Sequence, residues 1–307
     1  MAQDRKPEQA ARDNACAGRL YVVGTPIGNL GDLSPRAADA FRAADAVCCE
    51  DTRVTGKLLA HLGISKPLVR CDENVIAGRA GQLVERMLAG ETLAFASDAG
   101  MPGVSDPGQV LVDAAREAGV TVEVLPGPVA CITALVATGI PCEHFFFEGF
   151  LPRKHGERVR RLSQLAPVPG ALLFYESPHR TADSLVAIAE VFPVREAALC
   201  RELTKLHEEV LRAPAPQLAE LVAAREDLRG ECVIVVAPPA AQELERHAAV
   251  ATAGIAANED PQAALRRDIE EALAAGEPVS ALSKRLAQKF SLKKRAVYEL
   301  ALTLQEG

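Results

Sequence analysis

The chain has 307 residues, 49% of them hydrophobic and 24% charged, with a formal net charge of −7. Such a composition fits a soluble globular protein with a sizeable core, argues against a wholesale nucleic-acid coat, and offers no apolar run near the roughly 20 residues of a membrane span. At about 150 residues per domain, the length implies two domains and an appendage.

Residues 1–18 mix charges with Ala and Gln and read as a disordered tail rather than a signal peptide, so nothing directs the chain out of the cytoplasm. An N-terminal domain over 19–138 follows. Its pattern alternates strand 20–24, helix 35–44, strand 46–50, helix 53–61, strand 68–71, helix 78–89, strand 92–97, helix 107–118, strand 121–125 and helix 129–138, which predicts a parallel sheet with helices on its faces. Ser34-Pro35 and Asp106-Pro107 each set a capping residue before a Pro at the first helical position.

A second α/β domain spans 139–238. Strand 145–149, helix 156–165, strand 171–176, helix 178–191, strands 196–201 and 208–212, helix 215–225 and strand 231–237 include two consecutive strands without a helix, so its sheet is mixed. Residues 239–260 read as a linker. A small basic helical unit closes the chain at 261–307, with helices at 261–274, 279–287 and 293–305 and a break at Phe290-Ser291. The eight Cys form no C-x-x-C pair and read as reduced and buried, and no metal site is indicated.

Three strands end in glycine-rich mouths: Gly24-Thr-Pro-Ile-Gly-Asn-Leu-Gly31, Ala99-Gly-Met-Pro-Gly-Val-Ser-Asp-Pro-Gly108 and Pro126-Gly-Pro128. Gly admits close backbone approach and Pro stiffens a loop, so three mouths side by side predict a preformed cleft at the carboxyl end of the sheet. The bland alternative is three ordinary turns. Neither a dinucleotide fingerprint nor a P-loop occurs.

Charged segments also end strands: Glu50-Asp-Thr-Arg53, Glu176-Ser-Pro-His-Arg180 and Arg201-Glu-Leu-Thr-Lys205. They are costly to bury unless paired or used. Two basic clusters stand out. Arg153, Lys154, Arg158, Arg160 and Arg161 follow the Phe-rich strand, and Lys284, Arg285, Lys289, Lys293, Lys294 and Arg295 lie in a stretch without an acid. On an acidic chain they point to a chosen contact with a polyanion, against the alternative of solvated helix faces.

Together Val23–Leu30, Glu50–Arg53, Ser97–Pro102, Ser105–Gly108, Pro126–Pro128, Gly149–Pro152, Phe174–Arg180 and Arg201–Lys205 resemble the ribosomal RNA small subunit methyltransferase I family, of the tetrapyrrole-methylase superfamily. Met101 and Val129 depart from the family's usual residues. The resemblance covers about residues 19–237. It implies two α/β domains with an S-adenosylmethionine (SAM) cleft between them, a homodimer, and 2′-O-methylation of a cytidine ribose in the decoding region of 16S rRNA within the small ribosomal subunit.

By matching positions, the implied cofactor contacts are Gly24, Ile27, Gly28, Ala96, Ser97, Asp98, Met101, Val129, Ala130, Tyr175, Glu176, Val235 and Val236. Candidates for accepting the ribose proton are Asp51, Asp106, Glu202 and Lys205, among which the sequence does not choose. Arg53, Arg180 and Arg201 join Arg153, Lys154, Arg158, Lys284, Arg285, Lys293, Lys294 and Arg295 as candidate RNA contacts. A methylase of a tetrapyrrole-type small molecule and a non-enzymatic ribosome-binding module remain the alternatives.

Overall fold

A computed structural model describes residues 18–225, 227–245, 261–290 and 292–306. The expected N-terminal tail up to residue 17, Ser291, and residues 246–260 of the expected linker lie outside them. By compactness the chain divides into two units: Met1–Thr133 with Glu202–Glu208, and Ala134–Arg201 with Glu209–Gly307. That division falls at 133/134 rather than 138/139, and it groups the turn 202–208 with the first unit.

The first unit carries a parallel sheet of β1 (Arg19–Val23), β2 (Ala46–Cys49), β3 (Leu68–Arg70), β4 (Leu93–Ala96) and β5 (Thr121–Leu125), in the order β3-β2-β4-β1-β5. β2 and β4 are buried at every residue, as a sheet covered on both faces requires. On one face, α1 (Pro35–Ala43) and α2 (Thr52–His61) pack Phe41 and Leu59 against Val23, Val47 and Ala94. On the other, α3 (Ile76–Leu88) and α4 (Gly108–Glu117) pack Leu83, Met87 and Leu111 against Leu20, Leu93 and Phe95. The chain leaves β1 towards one edge and β4 towards the other, which makes their adjoining carboxyl ends a topological switch point. α5 (Ala130–Thr138) follows β5.

The second unit's sheet is mixed. β6 (Phe145–Phe150) runs parallel to β7 (Ala171–Glu176), while β10 (Cys232–Val236) lies antiparallel between β7 and β8 (Glu196–Arg201), and β9 (Glu209–Pro214) pairs antiparallel with β8. Helices α6 (His155–Leu165), α7 (Pro178–Val191) and α8 (Ala215–Ala223) bury Leu162, Leu185, Ile188 and Leu218 on one face. Residues 241–245 are helical, and Glu243 there receives the buried Arg195 guanidinium at 2.6 Å. Three short helices, α9 (Pro261–Ala274), α10 (Val279–Lys289) and α11 (Lys294–Glu306), share a core of Leu265, Ile269, Leu282, Leu286 and Val297.

Most element boundaries match the sequence pattern to within two residues. Ser34 caps α1 as expected, accepting from the Ala37 amide. Asp106 does not occupy the expected cap: α4 starts at Gly108 with Pro107 at its cap, and Asp106 stands one residue further out. The sequence pattern did not forecast the 3-10 turn Leu30–Asp32, whose Asn29 cap accepts from the Gly31 amide.

Candidate active site

At the carboxyl edge of the first sheet the three glycine-rich mouths are in direct contact. A Cβ on Gly24 would stand 2.6 Å from the Gly127 backbone, and one on Gly127 would stand 2.7 Å from Gly24 Cα. Thr25, almost fully buried, donates from its amide and its hydroxyl to Gly100 O and so ties the first mouth to the second. Gly100 adopts φ +87°, and a Cβ there would press on Ile27 at 3.2 Å and Pro128 O at 3.3 Å. Glycine is therefore required at Gly24 and Gly127 by contact, and at Gly100 by contact and backbone conformation together.

The turn 202–208 completes this rim. A Cβ on Gly28 would meet Lys205 Cγ at 2.5 Å, Thr204 Oγ1 at 2.8 Å and Leu203 O at 3.0 Å. Within the turn Lys205 Nζ donates to Glu202 Oε1 at 2.8 Å, and the Thr204 amide donates to Glu208 Oε2 at 2.6 Å. Glu202 and Thr204 hold φ +51° and +66°. Left-handed geometry at a β-branched residue costs about 1–3 kcal/mol, so the surrounding contacts over-determine it. Thr204 Oγ1 is buried without a hydrogen-bond partner. A cavity of about 510 Å³ opens here, lined by Asp32, Pro126, Gly127, Pro128, Thr133 and Thr204.

Carboxylates gather at the ends of β2 and β4. The Asp98 amide donates to Glu50 Oε1 at 3.2 Å, and the Asp51 amide donates to Asp98 Oδ1 at 3.0 Å. Burial first, and then the neighbouring carboxylates, pushes the Glu50 and Asp98 carboxyls up. Asp51 behaves oppositely: hydrogen bonds from the Arg53 guanidinium and amide hold it at about 2, and it caps α2. So low a pKa makes it a weak proton acceptor. Asp106 accepts from the amides of Gly103, Val104 and Gly108, which commits its oxygens to closing the second mouth. Its place is a loop clasp.

Among the implied cofactor contacts in this unit, Gly24, Ile27, Ala96 and Ser97 are buried; Gly28 and Asp98 are exposed; Met101, Val129 and Ala130 are half-buried. Met101 packs on the core beside Gly24, its Sδ 3.2 Å from where a Gly24 Cβ would stand. In the second unit Tyr175 ends β7 with its ring edge-on to Phe147 at 4.8 Å. Glu176 follows Tyr175 at the end of β7. Its side chain is wholly buried and accepts from the Ser184 hydroxyl at 2.6 Å and the Ser177 amide at 2.9 Å, with Arg180 at 3.3 Å. Val235 and Val236 are fully buried in the central strand β10, and Val236 belongs to the helix-covered core, so its side chain is unavailable to a ligand.

Three arginines expected to hold phosphate are spent on the protein itself. Arg158 is 2% exposed and donates to Pro152 O and Arg153 O, because its long stem is needed to fill the core beneath that loop. Arg180 donates to Leu151 O at 2.5 Å and pairs with Glu176. Arg201 pairs with Glu209, which Arg225 also engages. Arg53, Lys154, Arg285 and Arg295 are exposed but ion-paired, to Asp51, Glu157, Glu277 and Glu299. Arg153, Lys284, Lys293 and Lys294 are exposed, as is Arg160. Glu50, Thr25 and Thr204 were not selected from sequence. All three stand within quoted motifs, but only the fold shows the burial of Thr25, the half-burial of Glu50 and the conformation of Thr204.

Residues 19–219 match the family model for tetrapyrrole (corrin/porphyrin) methylases. A ribosomal RNA small subunit methyltransferase I from Xylella fastidiosa (strain Temecula1 / ATCC 700964) is 48% identical over 228 residues, 74% of this chain and 84% of that protein. The chain belongs to the ribosomal RNA small subunit methyltransferase I family. Another member, from Escherichia coli O157:H7, is 40% identical over 98% of this chain and 99% of its own length, so the likeness to this methyltransferase family extends through the C-terminal helices. The fold is that of tetrapyrrole methylases. A crystal structure of uroporphyrin-III C-methyltransferase from Thermus thermophilus, in complex with S-adenosylhomocysteine, superposes with a TM-score of 0.51 at 19% identity, covering 72% of this chain and 97% of that one.

Proposed function

We propose that this chain transfers a methyl group from S-adenosylmethionine to the 2′-hydroxyl of cytidine 1402 of 16S rRNA in the small ribosomal subunit. The observation that carries the reading is the contact of three glycine mouths at a switch point, in a chain of this methyltransferase family. Positions where a Cβ would fill the space, at Gly24, Gly28 and Gly100, are what a flat, backbone-lined cofactor cradle needs. Gly24, Ile27, Gly28, Ala96, Ser97, Asp98, Met101, Val129 and Ala130 would hold the cofactor in the first unit. When bound, the cofactor supplies an electrophilic methyl on a sulfonium.

The protein's part is positioning and proton management. A rigid rim that fixes the ribose oxygen in line contributes up to about 7–11 kcal/mol through orientation. Asp51 and Asp106 are committed elsewhere, which favours Glu202 to receive the hydroxyl proton, with Lys205, 2.8 Å away, holding that carboxylate in place. Arg153, Arg160, Lys284, Lys293 and Lys294 hold the RNA backbone. A homodimer is supported by the exposed Phe145, Phe146 and Phe150 of the edge strand β6. No helix among the described residues is long and apolar enough to cross a membrane. A ribosomal substrate supports a cytoplasmic location.

The reading is tested by incubating the chain with labelled SAM and small ribosomal subunits or naked 16S rRNA, then mapping the modified nucleotide. A 2′-O-methyl group at that cytidine supports it. Label on a porphyrin or corrin precursor instead, with none on RNA, rejects it.

A further inference from the structure

The cavity of the first unit has an uneven lining. One wall is apolar, the Pro126-Gly127-Pro128 loop, and the other carries Asp32, Thr133 and Thr204. Thr133 already donates its hydroxyl to Val129 O at 3.0 Å. Asp32, exposed in the 3-10 turn, has no ion pair or side-chain hydrogen bond recorded among the described residues. Thr204 Oγ1 is the one buried side-chain polar atom of this unit without a partner among the described residues. The lining therefore keeps one unspent acceptor and one unspent hydroxyl beside a flat apolar wall.

We infer that this cavity receives the base of the target nucleotide, with Asp32 and Thr204 as the residues that read it as an amino-pyrimidine. The inference rests on the methyltransferase reading above and deepens it. At about 510 Å³ the space lies within the roughly 300–1,000 Å³ of ligand pockets. Enzymes that do chemistry on a base turn it out of its stack into a pocket and read its pairing edge by hydrogen bonds, and a ribose methyltransferase that selects cytidine would use the same readout. An ionised carboxylate only accepts, so Asp32 selects the exocyclic amine of cytosine and repels the carbonyl that uracil carries at the same place. A threonine hydroxyl donates, and rotation about χ1 exchanges its hydroxyl and methyl between staggered positions, bringing Oγ1 to the ring nitrogen or carbonyl of the same edge. The lock on Thr204 supports this role, since the Glu208 carboxylate and the Glu202–Lys205 pair fix the turn that carries it.

The test uses the full chain and small subunits reconstituted with transcribed 16S rRNA bearing C or U at the methylated position. Asp32→Asn presents an amide that can donate to uracil, and it is expected to lower the C-over-U preference in kcat/KM by about tenfold or more while the calorimetric Kd for SAM stays unchanged. Thr204→Val is expected to raise KM for the C-bearing subunit about tenfold, and Thr204→Ser to restore it. A SAM affinity weakened tenfold by either Asp32→Asn or Thr204→Val, with the C-over-U ratio intact, would assign the cavity to the cofactor and overturn the inference. An active wild type whose ratio ignores Asp32→Asn overturns the inference alone. Inactivity of the wild type on both subunits overturns the methyltransferase reading and the base assignment together.

Discussion

Gly24 and Gly127 meet main chain to main chain, each occupying the space that a side chain on the other would need. One residue ends the loop's entry from β1 and the other follows β5, so the contact fixes the spacing of two strand ends that are neighbours in the sheet. Because the neighbour is backbone, a methyl group there has nowhere to go.

Gly24→Ala and Gly127→Ala are each expected to cost about 1–3 kcal/mol of stability through overpacking. They are also expected to abolish measurable SAM binding by calorimetry. Gly78→Ala and Gly81→Ala, where a Cβ meets nothing within 4 Å, serve as controls with unchanged affinity.

Glu202→Gln is expected to lower single-turnover methylation by about 10²–10⁴-fold with little change in subunit affinity, as loss of a proton acceptor predicts, and Lys205→Met to lower it less, by releasing the carboxylate it holds. Asp51→Asn should leave the pH dependence of kcat unaltered, because a carboxyl held at about 2 does not titrate in the working range. Equal losses from Asp51→Asn and Glu202→Gln would show the assignment to be wrong.

Glu209 is held at about 2, chiefly by hydrogen bonds from Arg225 and then Arg201. A carboxyl depressed in the folded state stabilises it above the unfolded value of about 4.5, and that stability disappears as pH falls from there to about 2. Glu209→Gln is expected to lower Tm at pH 7 and to flatten its dependence on acid over this range. Glu50 carries the opposite sign. Its raised pKa means stability decreases as pH rises through the folded value, so Glu50→Gln should raise Tm slightly at neutral pH while keeping an oxygen for the Asp98 amide.

Arg153, Arg160, Lys284, Lys293 and Lys294 should each reduce the slope of log Kd against log salt for subunit binding by about 1 when changed to Ala. Arg158→Ala should leave that slope intact and instead destabilise the protein by about 2–4 kcal/mol, since it empties a buried position and orphans two carbonyls.

The alternation of apolar runs and turn residues disclosed both sheets and nearly every helix because burial on two faces writes itself as a continuous apolar run in strands such as Leu93-Ala-Phe-Ala96. The mouths were visible for a similar reason: only Gly and Pro suit such turns. What escaped was the fate of charged side chains. Arg158 and Arg160 look alike in sequence, yet one is buried and the other exposed, a distinction set by which face of α6 turns to the core. Thr204 was equally opaque, since nothing in its neighbours announces a left-handed threonine.

The turn 202–208 lies some seventy residues downstream of Thr133 in the chain but is grouped with the first unit. The N-terminal sheet can therefore emerge from the ribosome and fold with its rim unfinished, lacking Thr204 and Lys205 until the hairpin of β8 and β9 has been made. Competence for substrate thus arrives late in synthesis, and a fragment ending before residue 200 would be a folded sheet with an open mouth.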